Sequence, residues 1–178
     1  MRFAEQSSSR IAALSRQETP NVMIPPSIRQ QFNGTDLEQK MGVAAILSTT
    51  DHDGWPHLSF LSVGEVMCDH QRVALLSWSR SHAVESMART QRGVLFVAAD
   101  DVVHEMRLEA AVVSAGLDEK TRVIVAEVNT RRENRAPYAA VGSLVDFTLD
   151  DPAAAVARWA RQIAVLRPAL LGQSASQL

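Results

Sequence analysis

The stretch that decides the fold is VAAILSTTDHDGWPHLSFLSVGEVMCDHQRVALLSW, residues 43–78. It starts with an apolar, β-branched run and then reaches Asp51-His52-Asp53-Gly54, a sequence typical of a tight hairpin turn. The return segment, residues 57–67, alternates its side chains between two faces, and a second turn leads into another apolar run over residues 72–78. These three segments predict an antiparallel meander.

The rest of the chain predicts four more strands and two helices. Strands are expected over residues 94–98, 102–114, 121–130 and 144–149. One helix starts at Ser81, a residue type that caps helices well, and a second starts at Asp151-Pro152 and ends at Pro168. Many short strands with few helices between them favour a mainly β fold, a β-barrel with peripheral helices, over a doubly wound parallel sheet.

The length of 178 residues suits one domain with a short appendage. Residues 1–34 are polar and contain several prolines, so we expect a loosely ordered N-terminal arm with short helical pieces. Residues 35–168 are expected to form the barrel domain, including the C-terminal helix over residues 151–167. Residues 169–178 are expected to be a frayed tail.

The composition excludes several classes of protein. Hydrophobic residues make up 46% of the chain and charged residues 21%, which argues against a disordered or fibrous protein. Basic and acidic residues nearly balance, 18 against 20, so no nucleic-acid or membrane partner is expected. The single cysteine, Cys68, rules out an intrachain disulfide and a cysteine-based zinc site. With no apolar run near the ~20 residues of a membrane span and no signal-like start, we expect a cytoplasmic protein.

The stretch richest in chemical groups is Leu76-Ser77-Trp78-Ser79-Arg80-Ser81-His82, between a strand and a helix N-terminus. Unpaired backbone N–H groups and a partial positive charge make a helix N-terminus a natural anion site. There the Ser81 hydroxyl and the amides of His82 and Ala83 would hold a phosphate, with Arg80 or His82 adding charge. The alternative interpretation is a polar loop whose serine only caps the helix.

Four short motifs occur along the chain. They are Asp53-Gly54-Trp55-Pro56-His57-Leu58-Ser59, Ser81-His82 entering a helix, Arg89-Thr90-Gln91-Arg92 before a strand, and His104-Glu105-Met106-Arg107-Leu108-Glu109-Ala110. The order and spacing of these motifs resemble the FMN-binding split barrel of the pyridoxamine 5′-phosphate oxidase superfamily. The end of the chain, from Ala136-Pro137-Tyr138 through the Trp159 helix, is similar to a general bacterial FMN-binding subgroup. The resemblance covers about residues 35–168.

The resemblance implies an antiparallel split barrel that works as a homodimer, with two FMN sites at the subunit interface. It implies oxidoreductase chemistry on a small organic substrate, in which the flavin ring carries the reaction and no side chain is an evident acid or base. The residues that it assigns to the cofactor are Ser59, Phe60, Leu61 and Ser62 along the ring, Leu76 and Ser77 on a second strand, Arg80, Ser81, His82 and Ala83 at the phosphate, and Glu105 with Arg107 across the dimer.

Three departures from the family pattern argue against pyridoxine phosphate oxidation itself. His82 and Ala83 stand where the oxidases have two cations, which leaves Arg80 to compensate. Glu105 replaces a glutamine and brings a carboxylate near the ring unless Arg107 pairs with it. The C-terminal substrate clamp of the oxidases is not recognisable around residues 166–168.

The alternative hypothesis is a non-catalytic dimer that binds or senses flavin, haem or another planar anion, weakly or not at all. His57 and His104 are the candidate metal or haem ligands. No His-x-His or His-Glu-x-x-His spacing supports a metal site, and the competing interpretation is that both are plain surface or interface histidines. A stably bound flavin that NADH or NADPH reduces would favour the enzyme.

Overall fold

The computed structural model describes residues 22–172, which form one seven-stranded antiparallel sheet and three α-helices. The strands are β1 (Ala44–Thr50), β2 (Pro56–Ser62), β3 (Val66–Cys68), β4 (Arg72–Trp78), β5 (Gly93–Ala99), β6 (Val102–Ala115) and β7 (Thr121–Asn134). The helices are α1 (Pro26–Gln31), α2 (His82–Thr90) and α3 (Pro152–Leu170), and a 3₁₀ turn covers Leu37–Lys40. The strand order is β2-β1-β5-β6-β7-β4-β3, and every pairing is antiparallel.

The sheet curls into a half-barrel with an inner and an outer face, which confirms the expected mainly β split barrel. Alternate residues of a strand point to opposite faces, and burial alternates accordingly along β1, β5 and β6. Leu47, Leu95 and Met106 lie in register on these three strands, and each is at most 1% exposed. This inner face is the centre of the core.

Helix α2 and the segment that contains α1 pack against the inner core. Ala83, Val84 and Met87 of α2 join the same buried cluster as the inner strands. The N-cap prediction for Ser81 is confirmed, because the Val84 N–H donates to its hydroxyl oxygen over 3.2 Å. Helix α2 therefore starts where the sequence predicts, with its N-terminus at the end of β4.

Helix α1 is a short helical piece of the kind expected in the arm, but the expectation that the arm is loose is wrong for the part of it that the structure describes. Ile24, Ile28 and Phe32 are each at most 1% exposed and belong to the inner core. The Phe32 carbonyl accepts from the Cys68 N–H over 3.1 Å, and the Cys68 thiol lies 3.8 Å from the Ile28 carbonyl oxygen. The burial of these three apolar side chains fixes the segment to the core, although its average composition is polar and it contains prolines. The remainder of the arm, residues 1–21, lies outside the described residues.

Helix α3 covers the outer face of β3, β4 and β7. Ile163, Leu166 and Leu170 pack there against a second buried cluster that includes Leu76 and Val123. The expected end of the helix at Pro168 is wrong, because α3 continues to Leu170. A proline costs an intrahelical hydrogen bond, and burial of Leu166 and Leu170 on either side of it favours two further residues of helix. Part of the expected tail is therefore helical, and residues 173–178 lie outside the described residues.

Two strand predictions also need correction. The segment 57–67 divides into β2 and β3, because the Glu65 N–H turns back to the Ser62 carbonyl over 2.8 Å. The segment 144–149 alternates like a strand but pairs with no strand of the described chain. Its predecessor β7 already has β6 and β4 on its two edges, so no ladder position is open beside it. The segment instead crosses the surface as an irregular connection to α3.

Trp159 links the outer helix α3 to the inner core. Its side chain is fully buried and belongs to the inner cluster, although the next turns of α3 pack on the outer one. The indole lies against Gly64, in the turn between β2 and β3, so closely that a Cβ at residue 64 would overlap it. This turn is therefore restricted to glycine by packing.

Gly64→Ala is expected to lower the free energy of unfolding by about 1–3 kcal/mol, because the added methyl group must displace the Trp159 indole in a packed core. Urea denaturation followed by tryptophan fluorescence measures this loss. Gly142→Ala is the matched control, since nothing lies within 4 Å of the methyl group that it adds. Its stability should stay within about 0.5 kcal/mol of wild type. Equal stability of the two variants would contradict the contact.

Candidate functional site

The candidate site lies where β4 ends and α2 begins. After Trp78 the chain turns, with the Ser81 N–H donating to the Trp78 carbonyl over 2.9 Å. This turn brings the hydroxyl oxygens of Ser77 and Ser81 to 3.0 Å from each other. Both serines belong to the one cofactor site that the sequence predicts, and the structure brings them together at the N-terminus of α2.

Two imidazoles, those of His57 and His82, also lie close together at the N-terminus of α2. The rings of His57 and His82 have centroids 4.8 Å apart and are tilted by 54°. His57 is on β2 opposite the buried Thr49, and His82 is the first residue of α2. Sequence reasoning treated His57 as an isolated candidate ligand and missed this pair, because the contact depends on how α2 crosses the β1–β2 hairpin.

The charges around the N-terminus of α2 favour an anion. Arg80 is exposed and forms no ion pair with the residues that the structure describes. The one carboxylate in the first turn, Glu85, lies 2.8 Å from His52 Nε2. The His52 imidazole beside Glu85 holds the pKa of that carboxyl below its usual range. The Glu85 carboxylate is therefore hydrogen-bonded to a partner on the hairpin turn rather than directed at the helix terminus.

The four residues predicted along β2 do not share one face. Ser59 and Leu61 point inward with His57, whereas Phe60 and Ser62 point outward. Leu61 is 4% exposed, so only its backbone is available to a ligand. The Ser62 hydroxyl donates to the Glu65 carboxylate over 2.7 Å and stabilises the turn after β2.

Two other predicted side chains are also inaccessible. Leu76 is 2% exposed and packs in the cluster under α3, and Ala83 is fully buried in the inner core. Their side chains stabilise the fold, which leaves only backbone groups for binding. Of the predicted phosphate residues, the exposed or half-buried ones are Arg80, Ser81 and His82, and Ser77, predicted on the second strand, is half-buried beside them.

Glu105 and Arg107 lie on the outer face, away from the N-terminus of α2. Phe60, Ile46, Phe96 and Glu105 form one row across four neighbouring strands. Three strand spacings of ~4.8 Å put Glu105 about 14 Å from Phe60 along this row. Arg107 Nε is 3.4 Å from a Glu105 carboxylate oxygen. The ion pair that would neutralise Glu105 near the flavin ring is therefore present.

Within one chain, the predicted site residues therefore form two separate groups. The first surrounds the N-terminus of α2, and the second lies on the outer face of β2, β1, β5 and β6. The second group is apolar at its centre and exposed, with Leu58 51% and Phe60 63% accessible beside half-buried Ile46, Val94 and Phe96. We call these five residues the open outer face, since α3 covers only the other half of the sheet.

His104 is not available as a metal or haem ligand. The side chain is 1% exposed, and Arg131 Nη1 donates to its Nδ1 atom over 3.1 Å. The expectation of a plain surface histidine is therefore wrong for this chain by itself. Burial lowers the pKa of His104, and the Arg131 guanidinium lowers it further. Among residues 22–172, no group of three or more His, Cys, Asp or Glu side chains is arranged to hold a metal ion.

A separate groove of about 850 Å³ lies at the far end of the sheet and contains none of the predicted site residues. Its polar lining includes Asp69, Arg72, Glu109 and Glu127. The Arg72 guanidinium is already paired with Asp69 at 3.0 Å. None of the helices in the described range has the length and apolarity to cross a membrane.

Comparison with known proteins gives one curated relative and a set of similar folds. No family model matches the chain. The uncharacterized protein YclD of Bacillus subtilis (strain 168) is 25% identical over 140 residues, which cover 76% of this chain and 90% of YclD. The crystal structure of HupZ from Group A Streptococcus matches at a TM-score of 0.50 with 10% identity, over 67% of this chain and 100% of HupZ.

A proposed pyridoxamine 5′-phosphate oxidase of Lactobacillus delbrueckii is 17% identical, with a TM-score of 0.45 over 65% of this chain and 95% of that one. At these identities the structural matches bear on the fold and not on the activity. The curled seven-stranded antiparallel sheet, with α2 inserted between β4 and β5, is a split barrel and is similar in fold to HupZ.

Proposed function

We propose that this chain is a cytoplasmic, homodimeric FMN-binding protein of the oxidoreductase type, acting on a small organic substrate. The observation that carries the proposal is the N-terminus of α2, where Ser77, Ser81, Arg80 and His82 meet. The flavin would lie between two copies, with its phosphate at this helix terminus.

The residues at this terminus fit a phosphate group. The first N–H groups of an α-helix have no acceptor within the helix, and here they belong to His82 and Ala83. The Ser77 and Ser81 hydroxyls are hydrogen-bonded to each other at 3.0 Å, which leaves the pair one O–H as a further donor, and the Arg80 guanidinium supplies the fixed charge that the second helical position lacks. Together these groups would orient the phosphate and leave the ring to extend toward the strands.

The open outer face supports the dimer. A surface with Phe60 63% exposed at its centre gains stability when another apolar surface covers it. The row that contains Phe60 ends in Glu105, which has Arg107 beside it and Arg132 opposite it on β7. A two-fold axis places the same patch on both copies, so carboxylate and guanidinium groups can meet their opposites across it.

The dimer also accounts for the division of the predicted site. Within one chain, Glu105 and Arg107 lie on the outer face and the phosphate groups lie at the end of α2. A second copy on the open outer face would bring its own Glu105 and Arg107 toward a ligand held by the first. A complete site would then need both copies.

Bound FMN would supply the hydride or electron chemistry, and the chain would supply binding and orientation. The apolar side chains of the open outer face would exclude water from the ring. The Glu105–Arg107 pair would present little net charge to it. Cys68 takes no part, because burial raises the pKa of its thiol to about 12.

The pair of His57 and His82 favours one alternative function, a dimer that binds haem or another planar anion without catalysis. Two imidazoles with centroids 4.8 Å apart at an accessible helix terminus are suitable iron or carboxylate partners. His104 is excluded from this role by its burial.

The visible absorption spectrum of the purified protein distinguishes these functions, before and after incubation with excess FMN and desalting. We expect a flavin spectrum at close to one FMN per chain. A Soret-type band instead would favour haem, and His57→Ala with His82→Ala should then abolish it. The absence of any retained chromophore, together with no FMN fluorescence quenching up to 1 mM (about −4 kcal/mol of binding), would contradict the proposal.

Arg80→Ala is expected to raise the Kd for FMN about ten- to a hundredfold, because a hydrogen bond to a charged group contributes about 1.5–3 kcal/mol. Riboflavin, which has no phosphate, should bind wild type and variant equally. Arg158→Ala removes an exposed arginine on α3 and is the matched control. Fluorescence titrations with both flavins measure the effect, and an equal loss of riboflavin and FMN affinity would contradict the phosphate assignment.

Phe60→Glu is expected to convert the dimer into monomers, since it places a charge at the centre of the open outer face. Leu171→Glu is the control, because Leu171 is comparably exposed at 59% but follows α3 on the other half of the sheet. Sedimentation velocity gives the mass of each variant. A dimeric Phe60→Glu protein would place the interface elsewhere, and a monomer that still binds FMN tightly would overturn the two-chain site.

A further inference from the structure

A buried cluster at the β5–β6 end of the barrel has no part in the proposed flavin site. His104 is at its centre, on the inner face of β6 and 1% exposed. Arg131 of β7 donates to His104 Nδ1 over 3.1 Å and to the Glu133 carboxylate over 2.6 Å. On the other side of the ring, Nε2 lies 4.0 Å from the carboxylate of Asp100 in the β5–β6 turn.

This arrangement accepts only the neutral imidazole. A guanidinium can donate but not accept, so His104 Nδ1 must be the acceptor and Nε2 must carry the hydrogen. A second proton can enter only at Nδ1. It would break the bond to Arg131 and leave two cationic groups about 3 Å apart, one of them buried, which is strongly unfavourable.

Asp100 of this cluster also bonds to α1, next to a second contact of α1 with β5. The Ser27 hydroxyl of α1 donates to the Asp100 carboxylate over 2.5 Å, and the Gln31 amide donates to the Ala98 carbonyl over 3.1 Å. Glu133 is already bonded to the charged Arg131, whereas Asp100 is bonded to the neutral Ser27 hydroxyl, so Asp100 is the carboxylate that can turn toward a charged His104. Turning toward His104 would take Asp100 away from Ser27.

We propose that His104 is an acid-sensitive latch, whose protonation releases α1 and the Ile24–Phe32 segment from the β5–β6 end of the barrel. The charged groups that face His104 are Arg131 and Glu133 from β7 and Asp100 from the β5–β6 turn. Because Ile24, Ile28 and Phe32 of this segment are buried, its release exposes one end of the core.

The direction of the effect follows from the charge balance. Burial and then Arg131 lower the pKa of His104, whereas Glu133, the backbone of Ala99 and Asp100 act in the opposite direction. The opened state, with its imidazole in water, binds the proton at the ordinary pKa of ~6.5. The closed state is therefore fully favoured above that value, and it loses stability as the pH falls from there toward the lowered pKa of the native ring.

Hydrogen exchange at pH 7 and pH 5, corrected for intrinsic rates, tests the latch on the full chain. In wild type, the opening equilibrium of amides in α1 and the β5–β6 turn should rise by up to about tenfold per pH unit below pH 6.5. In His104→Asn this rise should be absent, because an amide oxygen still accepts from Arg131 and does not titrate. His70→Asn removes an exposed histidine as the control and should keep the rise.

Two results would overturn the latch. One is an unchanged pH dependence in His104→Asn. The other is an equal loss of protection in β1 and β4, which would indicate global unfolding rather than local release. If the asparagine variant fails to fold, an NMR titration of the wild-type imidazoles replaces it. There His104 must take up its proton over the same pH range in which the α1 amides lose protection, and uptake without that loss would also refute the proposal.

Discussion

The contact between Trp159 and Gly64 is the constraint on which the rest of the structure depends. The edge strands β2 and β3 meet at a corner where the backbone bonds of Val63 to Val43 and of Glu65 to Leu76 leave room for side-chain packing to add stability. The indole supplies this by extending from the outer helix α3 into the inner core. The absence of a side chain at residue 64 permits the approach, so one glycine sets the position of α3.

The position of α3 in turn decides what the outer face presents. The helix covers β3, β4 and β7 with Leu166 and Leu170, and it leaves β2, β1, β5 and β6 uncovered. The two halves of one sheet face thus differ in role, one closed within the chain and one apolar and accessible. The proposed flavin site needs both this open half of the outer sheet face and the N-terminus of α2. The two lie on different sides of the sheet.

The sequence predicts those features whose causes are local. Ser81 and Asp151 cap their helices as expected, because a cap depends on a side chain and the amide three residues later. Features that depend on pairing between distant segments escape sequence reasoning. The contact of His57 with His82, the burial of His104 and the failure of residues 144–149 to join the sheet all depend on which neighbours the topology supplies. The Glu105–Arg107 pair could be predicted in part, since alternate residues of a strand share a face and residues 105 and 107 are therefore neighbours.

Cys68 makes the α1 segment observable without any engineered label. The thiol lies beneath α1, 3.8 Å from the Ile28 carbonyl, and burial raises its pKa to about 12. Only the thiolate reacts readily with alkylating or disulfide reagents, so the folded chain presents them with an almost inert sulfur. The fraction of molecules modified at Cys68 then measures the fraction in which α1 has left the core. The chain therefore carries its own chemical reporter for the mobility of its N-terminal segment.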